Sequence, residues 1–176
     1  MDNQQKQESV KNHFEQMKAL VIGTSLSGKT TIIRHLRPKS TVPILEMDEE
    51  LKILNKGEYP EDIEYKLKVL TPKIIDKILN RKNIIFFTNT DYFTIDDLLT
   101  AKKKGFKIIQ LELDLDQLKK RNEYRVKKEG YEDLGKWFKG MLQYQEVLRN
   151  KGIVDKIIHA DQPVENIVKE IQKVLH

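Results

Sequence analysis

Apolar residues in this chain fall into short unbroken runs and longer stretches of helical period, and the two alternate. The runs predict strands at about 18–22, 42–47, 84–87, 106–113 and 155–159. Ile84-Ile85-Phe86-Phe87 has no polar interruption, as expected of a strand buried on both faces. Helical spacing is clearest at Ile63, Leu67, Leu70, Ile74, Ile75, Ile78 and Leu79, within a stretch over 61–81. Pro72 either kinks that stretch or opens a new helix. Further helices are predicted from Lys29 to Leu36, over 49–57, near 95–104 with Gly105 behind it, over 115–128, over 133–150 and over 163–175. Residues 1–17 read as a polar arm, with Val10, Phe14 and Met17 at helical spacing. There is no internal repeat and no linker-like stretch, so one domain over 1–176 is expected.

Strands alternating with helices predict an α/β chain, a five-stranded parallel sheet covered on both faces in three layers. Ligands of such sheets sit at the carboxyl ends of the strands. Four features fall there: residues 23–30, Asp48, the Thr88–Asp91 turn and Asp114.

Residues 23–30 read Gly-Thr-Ser-Leu-Ser-Gly-Lys-Thr, between an apolar strand and a helix. They match the phosphate-loop (Walker A) pattern G-x-x-x-x-G-K-[ST] at every fixed position. Gly23 and Gly28 let the backbone curl with its N–H groups inward around a phosphate chain. Thr24, Ser25, Leu26 and Ser27 supply those N–H groups. Lys29 is placed to reach the outer phosphates as a point charge, and the Thr30 hydroxyl to take a place on Mg²⁺. The helix starting here, with Thr31 in its first turn, offers its positive end to the same anion. A nucleoside triphosphate with Mg²⁺ is therefore the expected ligand.

Asp48 comes 19 residues after Lys29. That is too early for the strand acid of a motor-type ATPase, although Ile44-Leu45-Glu46-Met47-Asp48-Glu49 has a similar look. Two readings stand: a carboxylate that takes an acceptor hydroxyl's proton or orders Mg²⁺ water, and a helix N-cap. Asp91, after the third strand, is either a metal-supporting acid or a turn cap. Neither N-K-x-D nor a strand-end D-x-x-G is present, which argues against a signalling GTPase. Arg121 and Arg125 share a helix face and could clamp a transferring phosphoryl group. They could equally pair with Glu123 and Glu129. Residues at about 126–135 would then close as a short lid.

Composition narrows the setting. The chain has 39% hydrophobic and 34% charged residues, as in a folded, lysine-rich protein. With no cysteine, disulfides and a thiol nucleophile are excluded. No apolar run approaches the ~20 residues that cross a bilayer, and the N-terminus lacks a secretory h-region. A cytoplasmic protein without a membrane partner is expected. The net charge of +5 is spread among scattered lysines, which reads as a solvated surface rather than a nucleic-acid face. Tyr59, Tyr65, Tyr92, Phe93 and Tyr131 read as packing residues that could also stack on an acceptor ring. The oligomeric state is not encoded in any pattern here.

Taken together, residues 18–175 resemble the phosphate-loop small-molecule kinases, the adenylate, shikimate and gluconate kinases. The resemblance rests on the loop Gly23–Thr30, Asp48 after the second strand, a helical insert at about 49–82, the Arg121/Arg125 helix and the turn Ala160-Asp161-Gln162-Pro163. LDQLKKRNEYR, MLQYQEVL and IIHADQPVENIVKEI are nearer the gluconate kinase side. The string FFTNTDYF stands where adenylate kinases carry Asp-Gly-x-Pro-Arg. The resemblance implies a nucleotide-kinase-like P-loop NTP-hydrolase fold, ATP as the nucleoside triphosphate and ATP-dependent transfer to a small hydroxylated or phosphorylated metabolite. It also implies that Gln162 and Pro163 lie against the adenine, with Arg121 opposite, and that the acceptor binds on the insert. Nucleoside or nucleotide kinases, a regulatory ATP-binding NTPase module and a polynucleotide kinase are the alternatives.

Overall fold

A computed structural model describes residues 17–175. Five strands, β1 Lys18–Gly23, β2 Ile44–Glu46, β3 Ile84–Asn89, β4 Lys107–Glu112 and β5 Lys156–His159, form one sheet in the order β2-β3-β1-β4-β5. Every pairing is parallel. The central strands have the character the apolar runs demanded: Ala19 to Ile22, Ile84 to Phe87 and Ile108 to Leu111 are buried on both faces. Buried Gln110 is the one polar side chain within those three runs.

The helices are α1 Lys29–Leu36, α2 Met47–Leu54, α3 Ile63–Tyr65, α4 Thr71–Leu79, α5 Ile95–Lys103, α6 Leu115–Glu129, α7 Gly135–Asn150 and α8 Val164–Leu175. A π-helical turn, Lys66–Leu70, joins α3 to α4, and Pro72 stands in the first turn of α4. Helical backbone is unbroken from Ile63 to Leu79, so Pro72 follows a π-helical bulge inside that run rather than opening a separate helix. The core has two halves, one per sheet face. Val21, Phe87, Ile109 and Leu111 pack with α1, α6 and α8. Leu20, Ile22, Phe86 and Ile108 pack with α2, α4 and α5. Helix α7 belongs to both: Phe138 and Met141 sit in the first half and Leu148 in the second.

The polar arm expected over 1–17 lies outside the described residues except for Met17, which bonds through its N–H to Asn83. Other boundaries differ from expectation in ways that matter for the site. The second strand is only three residues long, and α2 starts at Met47. Glu46, not Asp48, is therefore the N-cap residue, and Asp48 stands in the first helical turn. The N-cap reading of Asp48 is thereby corrected. An acid in a first turn still interacts favourably with the helix dipole. Helix α2 is fastened by the ion pair of buried Glu50 with Lys77 of α4, 2.5 Å, and by Arg37, which holds both Glu49 and the Ile44 carbonyl.

No described helix is long and apolar enough to cross a membrane. At the far end of the sheet Asp155 ties β4 to the β5 edge. Its Oδ2 accepts the Ile108 N–H at 2.7 Å, and its Oδ1 meets Lys102 at 2.6 Å. Asp155→Ala should cost about 1–3 kcal/mol, because a backbone N–H and an ammonium lose their partner. Urea unfolding monitored by the single Trp137 measures it, and an unchanged midpoint would show that water replaces the carboxylate at no cost.

Candidate functional site

The carboxyl ends of β1, β2 and β3 converge where the chain order reverses: β1 has β3 on one side and β4 on the other, while β2 is outermost. Ligands of open α/β sheets bind at such a switch point. A cleft of about 920 Å³ opens there, walled by the phosphate loop and α1, by Glu46, Asp48 and Asn89, and by α6 with the loop behind it.

Gly23 ends β1 where a Cβ would lie 2.5 Å from Ser27 Oγ and 3.2 Å from Leu111 Cβ. A side chain there would crowd the loop where it folds back. Leu26 and Gly28 are both left-handed, φ 67° and 90°. That conformation is free for glycine and strained for leucine. The Leu26 carbonyl is caught by Arg121, whose Nη1 donates to it at 2.9 Å while Nη2 donates to the Ala160 carbonyl at 3.1 Å. Arg121 thus links the loop apex to the turn after β5.

The Lys29 ammonium is buried inside the loop and donates to Thr24 O at 2.7 Å, Gly23 O at 3.4 Å and Ser27 Oγ at 3.4 Å. Burial lowers its pKa to about 8, opposed by the carboxylates of Glu46, Asp48 and Asp91. Glu46 and Asp48 line the cleft beside the loop, and Asp91 stands outside its walls. Burial raises the Glu46 carboxyl, and nearby Asp48 and Glu49 add to it. The Asp48 carboxyl is also raised by the protein around it, against the pull of Lys29, Lys66 and Lys52. Its rim position leaves it open to solvent, so it can still reach a ligand. Thr30 and Thr31 are exposed toward the cleft. Thr30 Oγ1 with the nearby carboxylates is the hard oxygen set that Mg²⁺ prefers.

The expected site residues divide between the cleft walls and its surroundings. Ser25, Leu26, Gly28, Lys29, Thr30, Thr31, Asp48, Arg121 and Arg125 line one space. Gly23, Thr24 and Ser27 are buried beneath it, and the Thr24 hydroxyl lacks a hydrogen-bond partner. Gln162 and Pro163 are outside the cleft walls; Gln162 bonds to the His159 carbonyl and to Glu170. Asp91 stands in a 3₁₀ turn, Thr90–Tyr92, at the β3 end. Arg125 pairs with Glu129 at 3.2 Å and stacks on the Tyr131 ring at 3.8 Å. Helix α6 runs on to Glu129, so the loop expected at about 126–135 spans residues 130–134. It is pinned to α6 by Asn122, which donates to Asp133 at 2.6 Å and accepts the Leu134 N–H at 3.0 Å.

Six cleft residues escaped the sequence reading: Glu46, Asn89, Arg34, Lys120, Tyr124 and Leu134. Asn89 donates to Ser25 Oγ at 3.3 Å and so joins the β3 end to the loop. An acid and an amide closing apolar strands were the available signal for the first two. Nothing in the pattern marks Arg34 or Tyr124, which are exposed helix positions like many others.

No family model matches the chain, and neither does any curated protein sequence. Solved structures do match. A shikimate kinase from Aquifex aeolicus vf5 aligns with 90% of this chain and 96% of its own at 18% identity, TM-score 0.68. The fold is that of the phosphate-loop small-molecule kinases. A shikimate kinase from Acinetobacter baumannii, solved in complex with shikimate, covers 92% of this chain and 94% of its own at 17% identity, TM-score 0.70. A gluconokinase from Sinorhizobium meliloti 1021 covers 92% and 95% at 14% identity, TM-score 0.61.

The depressed Lys29 pKa has a consequence for stability. Between about pH 8 and the ordinary lysine value of 10.5, the unfolded chain holds a proton that folded Lys29 has released. Stability must therefore rise with pH through that window. Lys29→Met lacks this contribution. The Tm difference, wild type minus variant, should move in favour of the wild type from pH 8 to pH 10, as read by differential scanning calorimetry. A pH-independent difference would mean that the ammonium is solvated.

Proposed function

We propose that this chain is an ATP-dependent kinase that phosphorylates a small hydroxylated or phosphorylated metabolite. The observation that carries the reading is the cleft itself, in which a complete phosphate loop faces a carboxylate, Asp48, across one open space beneath a basic helix.

In this reading the loop N–H groups and Lys29 hold the β- and γ-phosphates. Lys29 must exchange the Gly23 and Thr24 carbonyls for phosphate oxygens, a trade that offsets its burial with a stronger, charge-assisted bond. Mg²⁺ would be held by Thr30, with Asp48 or Asp91 acting through water. When bound, it neutralises charge between the phosphates. Asp48 orients the acceptor hydroxyl and takes its proton as the new O–P bond forms and the bond to the ADP oxygen breaks. A carboxyl raised above its ordinary value is the better base for that work. Arg121 stiffens the loop apex. Arg125 reaches the phosphoryl group on leaving Glu129 and Tyr131. Residues 130–134 act as the lid, and the insert at about 49–82 carries the acceptor.

One observation favours a second reading, a regulatory ATP-binding module with slow hydrolysis. Both arginines of α6 already have partners within the protein. A metabolite pool offered with labelled ATP separates the two. The kinase reading expects acceptor-stimulated ADP release, and the module reading expects none.

Lys29→Ala should abolish ATP turnover while the circular dichroism spectrum stays native; full turnover would remove the loop from the mechanism. Asp48→Asn should lower transfer about 10²–10⁴-fold, the usual range for a lost general base, and keep ATP affinity by calorimetry. If affinity falls instead, Asp48 is chiefly a metal or structural residue.

A further inference from the structure

Helix α7 starts directly after residues 130–134 and crosses the carboxyl edge of the sheet, with Phe138 and Met141 in one half of the core and Leu148 in the other. At the crossing stand Tyr144 and Gln145. The Tyr144 hydroxyl donates to the Phe93 carbonyl at 2.7 Å. The Gln145 amide, fully buried, donates to Thr90 Oγ1 at 3.0 Å and to the Leu111 carbonyl at 3.3 Å. Thr90 and Phe93 bracket Asp91 and Tyr92. The two side chains of α7 therefore grip this short turn at both ends. Tyr92 carries the connection outward through its hydroxyl, 3.1 Å from that of Tyr59 on the insert.

Fold stability does not explain a glutamine here. The Gln145 Oε1 is buried without a hydrogen-bond partner. An orphaned buried carbonyl is a cost to folding, and an apolar side chain of similar size would avoid it. What the amide achieves is geometric. It holds the Thr90 hydroxyl and the β4 backbone together, so the turn cannot shift relative to the strand next to β1. Asn89, just before the turn, donates to Ser25 Oγ of the loop at 3.3 Å, and the Asp91 charge acts on the Lys29 ammonium.

We infer that Gln145, with Tyr144, is a positioning residue that fixes the Thr90–Tyr92 turn against β4 and so holds the Asp91 carboxylate toward the phosphate loop. The inference rests on the reading of the cleft as a Mg²⁺–ATP site. Groups that orient a metal-supporting carboxylate have a specific signature on loss: metal affinity falls while the remainder of the site keeps its shape.

The test titrates Mg²⁺ into the full chain with a fluorescent ATP analogue and reads the Mg²⁺ concentration at half-maximal gain in nucleotide affinity. Asp91→Asn, Gln145→Leu and Thr90→Val should each raise that concentration about 10-fold or more. For Gln145→Leu and Thr90→Val, nucleotide affinity without Mg²⁺ should stay at the wild-type level. Thr90→Ser, which keeps the hydroxyl, should behave as wild type, and Tyr144→Phe should give a smaller shift of the same kind. A purely structural role would lower Tm and Mg²⁺-free affinity together and would not be rescued by serine; that result overturns the inference. If Asp91→Asn shifts the Mg²⁺ requirement and neither Gln145→Leu nor Thr90→Val does, the inference fails and the site reading stands. If wild type shows no nucleotide binding, or no Mg²⁺ effect, the site reading fails first and takes the inference with it.

Discussion

The loop at the end of β1 turns back tightly against Gly23, which has no side chain. A Cβ there would press on Ser27 Oγ and on Leu111 of the neighbouring strand. This contact turns the chain back on itself within a few residues, buries the Lys29 ammonium among backbone carbonyls and aims the start of α1 into the cleft. The strain this creates at Leu26 is met from afar, by Arg121 on α6. One close approach therefore ties the centre of the sheet to α6 and, through Ala160, to the turn after β5.

The acceptor side is assembled by a different logic. Asp48 is delivered by a strand of three residues and a helix that starts at once, held by the Glu50–Lys77 pair and by Arg37. Asp91 is delivered by a turn clamped from α7. Neither acid is rigid by virtue of its own segment. Each owes its place to a side chain distant in sequence, and both bear on the same ammonium. The carboxylates offset part of the cost of burying that ammonium, and they are the groups that metal-assisted phosphoryl transfer requires.

Much of this was legible in the chain. Unbroken apolar runs such as Ile84–Phe87 mark strands with two covered faces, because any polar side chain there would lie in the core. The phosphate loop is legible for a related reason: its constraints are local, a glycine that must lack Cβ and another that must turn left-handed. Helix ends were legible where caps are local too, as at Gly105. Less legible was the start of α2, where Met47 joins the helix to bury its side chain, overriding a strand-like run that extends through it.

By itself, then, the sequence determined the parallel α/β architecture, the phosphate loop and the end of the sheet at which chemistry would lie. Each depends on interactions between near neighbours or on a periodicity that burial imposes. Only the tertiary structure decided that Arg121 serves the loop backbone, that Arg125 rests on Tyr131, that Gln162 turns toward Glu170 and that Gln145 grips the Asp91 turn. These are contacts between side chains and elements brought together by folding. A long polar side chain has many possible partners, and only the packed sheet and its helices select one.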